Sequence, residues 1–126
     1  MPRISITNTT KSTLPRVPFV KIKNFVLGEK YDLSLVFVGK ERSRKLNLKY
    51  RGKNKETNVL SFPLSKKEGE IFINLKLADK QKKTFGRNLN DFVTFLFIHG
   101  IMHLKGMQHS SKMEKAEEKI RRKFRI

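Results

Sequence analysis

The chain has 126 residues, with 29 Lys and Arg against 11 Asp and Glu, a formal net charge of +18, and no cysteine. That length suits one domain with a single core. The lack of thiols excludes disulfides and thiolate metal sites, so any metal must be held by histidine and oxygen. The charge points to a polyanion, nucleic acid ahead of an anionic membrane, because no acylation or prenylation signal accompanies it. The N-terminal MPRISITNTTKS lacks the apolar stretch of a secretory signal, and the longest apolar run, Phe92 to Leu104, is broken by Thr94, His99, Gly100 and His103. The expectation is a cytoplasmic protein without a membrane span.

Arg3 to Thr7 alternates and predicts a short first strand. Between Pro18 and Gly28, Phe19, Ile22, Val26 and Leu27 recur at helical spacing and end at glycine. Tyr31 to Val38 alternates Leu33, Leu35 and Phe37 with Asp32 and Ser34, the pattern of a half-buried strand. Lys40 to Lys49 is a basic helix that runs into a Tyr50-Arg51-Gly52 exit. Thr57 to Leu64 reads as a strand that Pro63 either stops or consigns to a sheet edge, and Glu70 to Asn74 as another, reached through a turn at Lys66 to Gly69. Leu77 to Lys83 predicts a short helix. Asn88 or Asn90 then caps a long helix reaching about Lys105, apolar nearly all round and therefore buried against the sheet. Ser111-Lys112-Met113-Glu114 has the form of a capping box, and Met113, Ala116, Ile120 and Phe124 share one face of a final basic helix. The fold class is α+β: one mixed sheet of about four strands, packed against a buried helix bearing histidines, with further helices around it.

All three histidines, His99, His103 and His109, fall within eleven residues. His99 and His103, four apart on a helix, project from one face about 40° apart, one turn above the other, and can grip one ion. Gly106 ends the helix with a residue able to take positive φ, so the chain can return His109 to the same point. Two satisfied core histidines and a surface one are the alternative, but unpaired imidazoles on so apolar a helix are costly to desolvate. Three neutral imidazoles with an open fourth position are a common form of catalytic zinc site. Gly100 stands where the metalloprotease pattern H-E-x-x-H has its general base, so peptide hydrolysis is not expected.

The run H-G-I-M-H-L-K-G-M-Q-H resembles the H-G-x-x-H-L-x-G-Y-D-H signature of the YbeY family, bacterial rRNA maturation factors and single-strand-specific endoribonucleases. Three upstream segments resemble that family in the same order: Leu46-Asn47 with Tyr50-Arg51-Gly52-Lys53, Thr57 to Pro63, and Gly69 to Ile73. Together they extend the likeness over about three quarters of the chain, Tyr31 to Phe124. The resemblance implies one YbeY-like domain over residues 1–126, an α+β fold, and one zinc ion held by His99, His103 and His109. It further implies a catalytic role for these histidines and for Arg51, which falls on the family's arginine. The implied activity is cleavage of RNA in maturing the 3′ end of small-subunit rRNA and in ribosome quality control, with the ribosome, its proteins and a ribosome-assembly GTPase as partners. Two departures stand out. Met107-Gln108 replaces Tyr-Asp, removing a carboxylate beside the third histidine, and the span from Asn74 to Asn88 is shortened.

For cleavage, a metal with an open position polarises a phosphoryl oxygen, and Arg51 in the same cleft would hold the phosphate through its bidentate fork. No carboxylate base is evident, which leaves water or the RNA 2′-OH to serve. Residues 40 to 55 carry eight Lys or Arg, and Lys112, Lys115, Lys119, Arg121, Arg122, Lys123 and Arg125 add a second cationic stripe; flanking one cleft, they would form an RNA track. Asn58 and Ser61 could line that cleft or satisfy turns, and Phe62 lies in the same motif. Without Trp, base stacking is not legible. The alternative function is a non-catalytic rRNA-binding assembly factor with a structural zinc, although structural sites usually have four protein ligands.

Overall fold

Strands form where β-branched and aromatic residues alternate or run together: Ile4–Asn8 (β1), Asp32–Val38 (β2), Val59–Ser65 (β3) and Glu68–Asn74 (β4). Helices occupy Phe19–Leu27 (α1), Lys40–Arg51 (α2), Leu75–Gln81 (α3), Leu89–Leu104 (α4) and Ser111–Lys123 (α5). This computed structural model describes residues 3–125; Met1, Pro2 and Ile126, the ends of the expected 1–126 domain, lie outside them. The sheet is mixed, in the order β1-β2-β4-β3, with β1, β2 and β4 parallel and β3 antiparallel to β4. Pro63 sits on β3, at the sheet edge, where a missing N–H removes no ladder bond needed by an outer neighbour.

The expected α+β class and the expected elements are present; β4 starts at Glu68, two residues earlier than expected, because Glu68 and Gly69 already pair with β2, and three larger details differ. β2 is central rather than half-buried. Leu33, Leu35 and Phe37 enter the main core, and Val36 and Val38 are also buried, with Leu60 and Phe72, on the opposite face toward α2. α3 starts at Leu75, not Leu77, because Asn74 ends β4 and at once caps the helix, its side chain accepting from Leu77 N at 3.2 Å. The same amide donates to Ser43 Oγ and Glu56 Oε1, tying the strand end to α2.

The third difference concerns α5. Its N-cap is Ser110, whose hydroxyl accepts from Met113 N at 3.2 Å, so Ser111 is already helical. The residue three after that cap is Met113, not Glu114, and the reciprocal half of a capping box is missing.

α4 is the axis of the molecule. Ten of its sixteen residues are buried, and it lies on β3 and β4 with α1, α3 and α5 around it. Gly100 permits the close approach to β4, since a Cβ there would stand 3.2 Å from Ile71 Cδ1 in the core. A glutamate at that position would collide with the sheet before it could act as a base. Asn88, not Asn90, caps α4, accepting from Asp91 N at 2.9 Å. Among the described residues no helix is long and apolar enough to cross a membrane.

Candidate metal centre

The last turns of α4 place His99 above His103, and the helix end delivers His109. Gly106, at φ 96°, donates to His103 O at 2.9 Å, and Met107 N donates to Met102 O at 3.1 Å. These paired bonds are a Schellman reversal, which satisfies the orphan carbonyls and turns the chain back along its own helix. Ser110 then fixes the far side of His109, donating to Gln108 O at 3.1 Å while capping α5.

The three rings meet at centroid separations of 4.7, 4.8 and 4.7 Å, a near-equilateral triangle. One nitrogen from each lies within 4.8 Å of the others. The outer nitrogens of two rings are engaged: His99 Nδ1 donates to Glu117 Oε1 at 2.6 Å and His103 Nδ1 to Met107 O at 3.1 Å. These partners select the tautomers that leave both Nε2 lone pairs facing inward, 3.2 Å apart. Two imidazoles on one tetrahedral zinc, each at about 2.0–2.1 Å, would have nitrogens about 3.3–3.4 Å apart. The His99–His103 pair therefore has the spacing of two ligands to one such ion, and His109 brings a third nitrogen within 4.8 Å of both.

Burial first, and then the neighbouring imidazoles of His99 and His109, hold His103 below the ordinary histidine value, which favours its neutral, ligating form. His99 and His103 are half-buried, and His109 is exposed at the rim.

The sequence offered no carboxylate for this site, and here the structure corrects the reading. Glu117 on α5, 5% exposed, is the partner of His99, and its second oxygen lies 3.9 Å from Arg121 Nη1. The signal was present in the α5 register, where Met113, Glu117 and Ile120 share one stripe and the glutamate interrupts it. Gln108, standing where the family pattern has its acid, is exposed.

A cleft of about 570 Å³ opens beside the triad, lined by Arg51, Asn58 and Ser61 among others. Arg51, the last residue of α2, also borders an adjoining depression with Lys53, Ser61, Gln108 and His109. Asn58 donates from Nδ2 to Gln81 Oε1 at 2.9 Å. Phe62 points away from the cleft, packing on Tyr50 and Phe72 on the α2 side, because side chains alternate along β3. Of the cationic stripe on α5, Arg121 lines the cleft, where Glu114, Glu117 and Glu118 join it. On this side the α5 stripe therefore meets the cleft through Arg121 alone among its described cations, with acidic residues beside it.

Comparison with known proteins agrees with this architecture. The family model described as Endoribonuclease YbeY matches residues 4–125. A protein named Endoribonuclease YbeY from Phytoplasma mali (strain AT) is 37% identical over 116 residues, covering 89% of this chain and 78% of the relative. Another of that name, from Aster yellows witches'-broom phytoplasma (strain AYWB), is 36% identical over 121 residues, covering 88% and 83%. The solution structure of TM1509 from Thermotoga maritima shares the fold, with a TM-score of 0.64 at 21% identity over 97% of this chain and 91% of that one. With a family model spanning nearly all of its length and relatives this similar, the chain belongs to the YbeY endoribonuclease family.

Proposed function

We propose that this protein is a zinc-dependent endoribonuclease of single-stranded RNA, acting in maturation of the 3′ end of small-subunit rRNA and in ribosome quality control. In this reading the chain works as one domain over residues 1–126 in the cytoplasm, with the ribosome, its proteins and an assembly GTPase as partners. The observation that carries it is the convergence of three imidazoles on one point in the wall of a cleft that also holds Arg51.

His99, His103 and His109 would hold the ion, one per chain. When bound, zinc supplies Lewis acidity toward a phosphoryl oxygen. Arg51, exposed and at the mouth of the cleft, receives a phosphate through two parallel N–H donors and stabilises the charge that develops on it. Glu117 and the Met107 carbonyl orient the two α4 imidazoles through their Nδ1 atoms, so that both Nε2 atoms face the ion's position. Lys53 lies beside Arg51 and extends the phosphate path.

The test is metal content of the purified protein together with cleavage of single-stranded RNA, comparing the wild type with His103→Ala and Arg51→Ala at matched salt. Stoichiometric zinc with cleavage lost in both variants is the expected result. Stoichiometric zinc and tight rRNA binding, without cleavage above the variants, would replace this reading with a non-catalytic assembly factor whose zinc is structural. Absence of bound metal would remove the site altogether.

A further inference from the structure

The cleft does not end at the histidines. Along α4, Phe92, Phe95, His99 and His103 follow one another on the same stripe, and at 1.5 Å per residue Phe95 lies about 6 Å along the axis from His99. Phe85, from the turn between α3 and α4, stacks on Phe92 with centroids 4.8 Å apart and planes 24° apart. Phe92 is fully buried, whereas Phe85 is 51% exposed and lines the cleft. Phe95 stands 6.3 Å from Phe85 and is flanked by two guanidinium groups, Arg87 at 4.9 Å and Arg121 at 5.1 Å from its ring centre. Phe85, backed by a buried ring, open on its other side and next to the guanidinium-flanked Phe95 in the wall of a cleft, is a stacking platform.

Charge decides what such a platform receives. This end of the cleft carries Glu114, Glu117 and Glu118, with Glu117 facing Arg121 at 3.9 Å and Glu118 paired with Arg122 at 2.7 Å, so its cations are already engaged and it offers a phosphate no free positive charge. The adjoining depression, which shares Arg51, His103 and His109 with the cleft, adds Lys53, and among the described residues no carboxylate lines it. A strand crossing the triad therefore lowers its free energy by laying its backbone toward Arg51 and Lys53 and turning a base toward the phenylalanines. We propose that Phe85, Phe95 and Arg121 form a subsite for one unpaired nucleobase of single-stranded RNA, next to the nucleotide whose phosphate faces the histidines. The subsite rests on the endoribonuclease reading above. Recognition is by the π-face and so tolerates any base, while a paired base, already stacked in a duplex, is refused. Preference for single strands follows from this geometry rather than from sequence readout.

The experiment uses the zinc-loaded protein and a series of 2′-O-methyl octanucleotides, each carrying one 2-aminopurine at a successive position. Phe85→Leu keeps an apolar cover over Phe92 without a π-face, and Phe85→Trp restores one. The expected result is quenching at one position in the wild type and in Phe85→Trp, with loss of that quenching and about 5- to 150-fold weaker binding in Phe85→Leu. An abasic nucleotide at the quenched position should abolish the difference between wild type and Phe85→Leu. Equal affinity and equal quenching in wild type and Phe85→Leu, with RNA cleavage intact, would overturn the subsite and leave the enzymatic reading standing. A wild type that neither binds nor cleaves single-stranded RNA would overturn both.

Discussion

A carboxylate buried at 5% exposure is costly unless its charge is answered, and Glu117 is answered by His99 at 2.6 Å and by Arg121 at 3.9 Å. Replacing it by glutamine keeps the shape and removes the charge, and zinc affinity should fall about 10- to 100-fold with the fold retained. Competition against a chromophoric chelator, with circular dichroism as the control, measures this. His103 makes a second prediction. Its folded value is depressed, mainly by burial, so the unfolded chain binds a proton first as the pH falls. The stability it contributes is full above the ordinary histidine value of about 6.5 and is lost as pH drops through the lower folded value. Thermal unfolding of chelator-treated protein should show a melting temperature declining from pH 7 toward pH 5, and His103→Gln should flatten that decline. Both residues show what a sequence conceals. The spacing of His99, His103 and His109 is local and legible. The partner that orients His99 lies eighteen residues further on, and only the docking of another helix brings it there.

At the scale of elements, the reversal after α4 matters more than its length. Gly106, at φ 96°, makes the turn possible, with open space where a Cβ would stand, so Gly106→Ala is penalised by backbone strain alone. The expected cost is about 1–2 kcal/mol, read by urea unfolding, with a weaker zinc affinity because His103 O and Met107 O both belong to the turn. Long periodic segments such as α4 are readable because burial on all sides leaves an unmistakable apolar run. Caps are less so. Ser110 and Ser111 are chemically equal candidates, and the choice between them is made by the path of the chain leaving His109. Phe85 was harder still, since no period governs where a turn residue points. Its value as a platform depends on Phe92 lying beneath it and on the cleft beside it.

For the whole molecule, a net charge of +18 draws RNA from a distance, but it does not say where the strand lies. In the proposed arrangement the bases turn toward Phe85 near the carboxylates of α5 and the backbone toward Arg51 and Lys53. Affinity for single-stranded RNA should fall linearly on a double-logarithmic plot against salt, and Lys53→Ala should make that slope shallower by about 0.7 if one phosphate contact is lost. A titration from 50 to 300 mM salt reads it directly. The His99–Glu117 bond has one more implication. It joins α4, anchored in the core, to a C-terminal helix that reaches that core through only one side. An ion held by the triad is thereby a ligand for the docked position of α5, and mass action makes docking tighter as the ion becomes more available. The histidine site and α5 form one cooperative unit. With the metal withdrawn, the backbone amides of α5 should exchange with solvent ahead of those of the sheet, so that a protein short of its ion is also one whose α5 begins to come away.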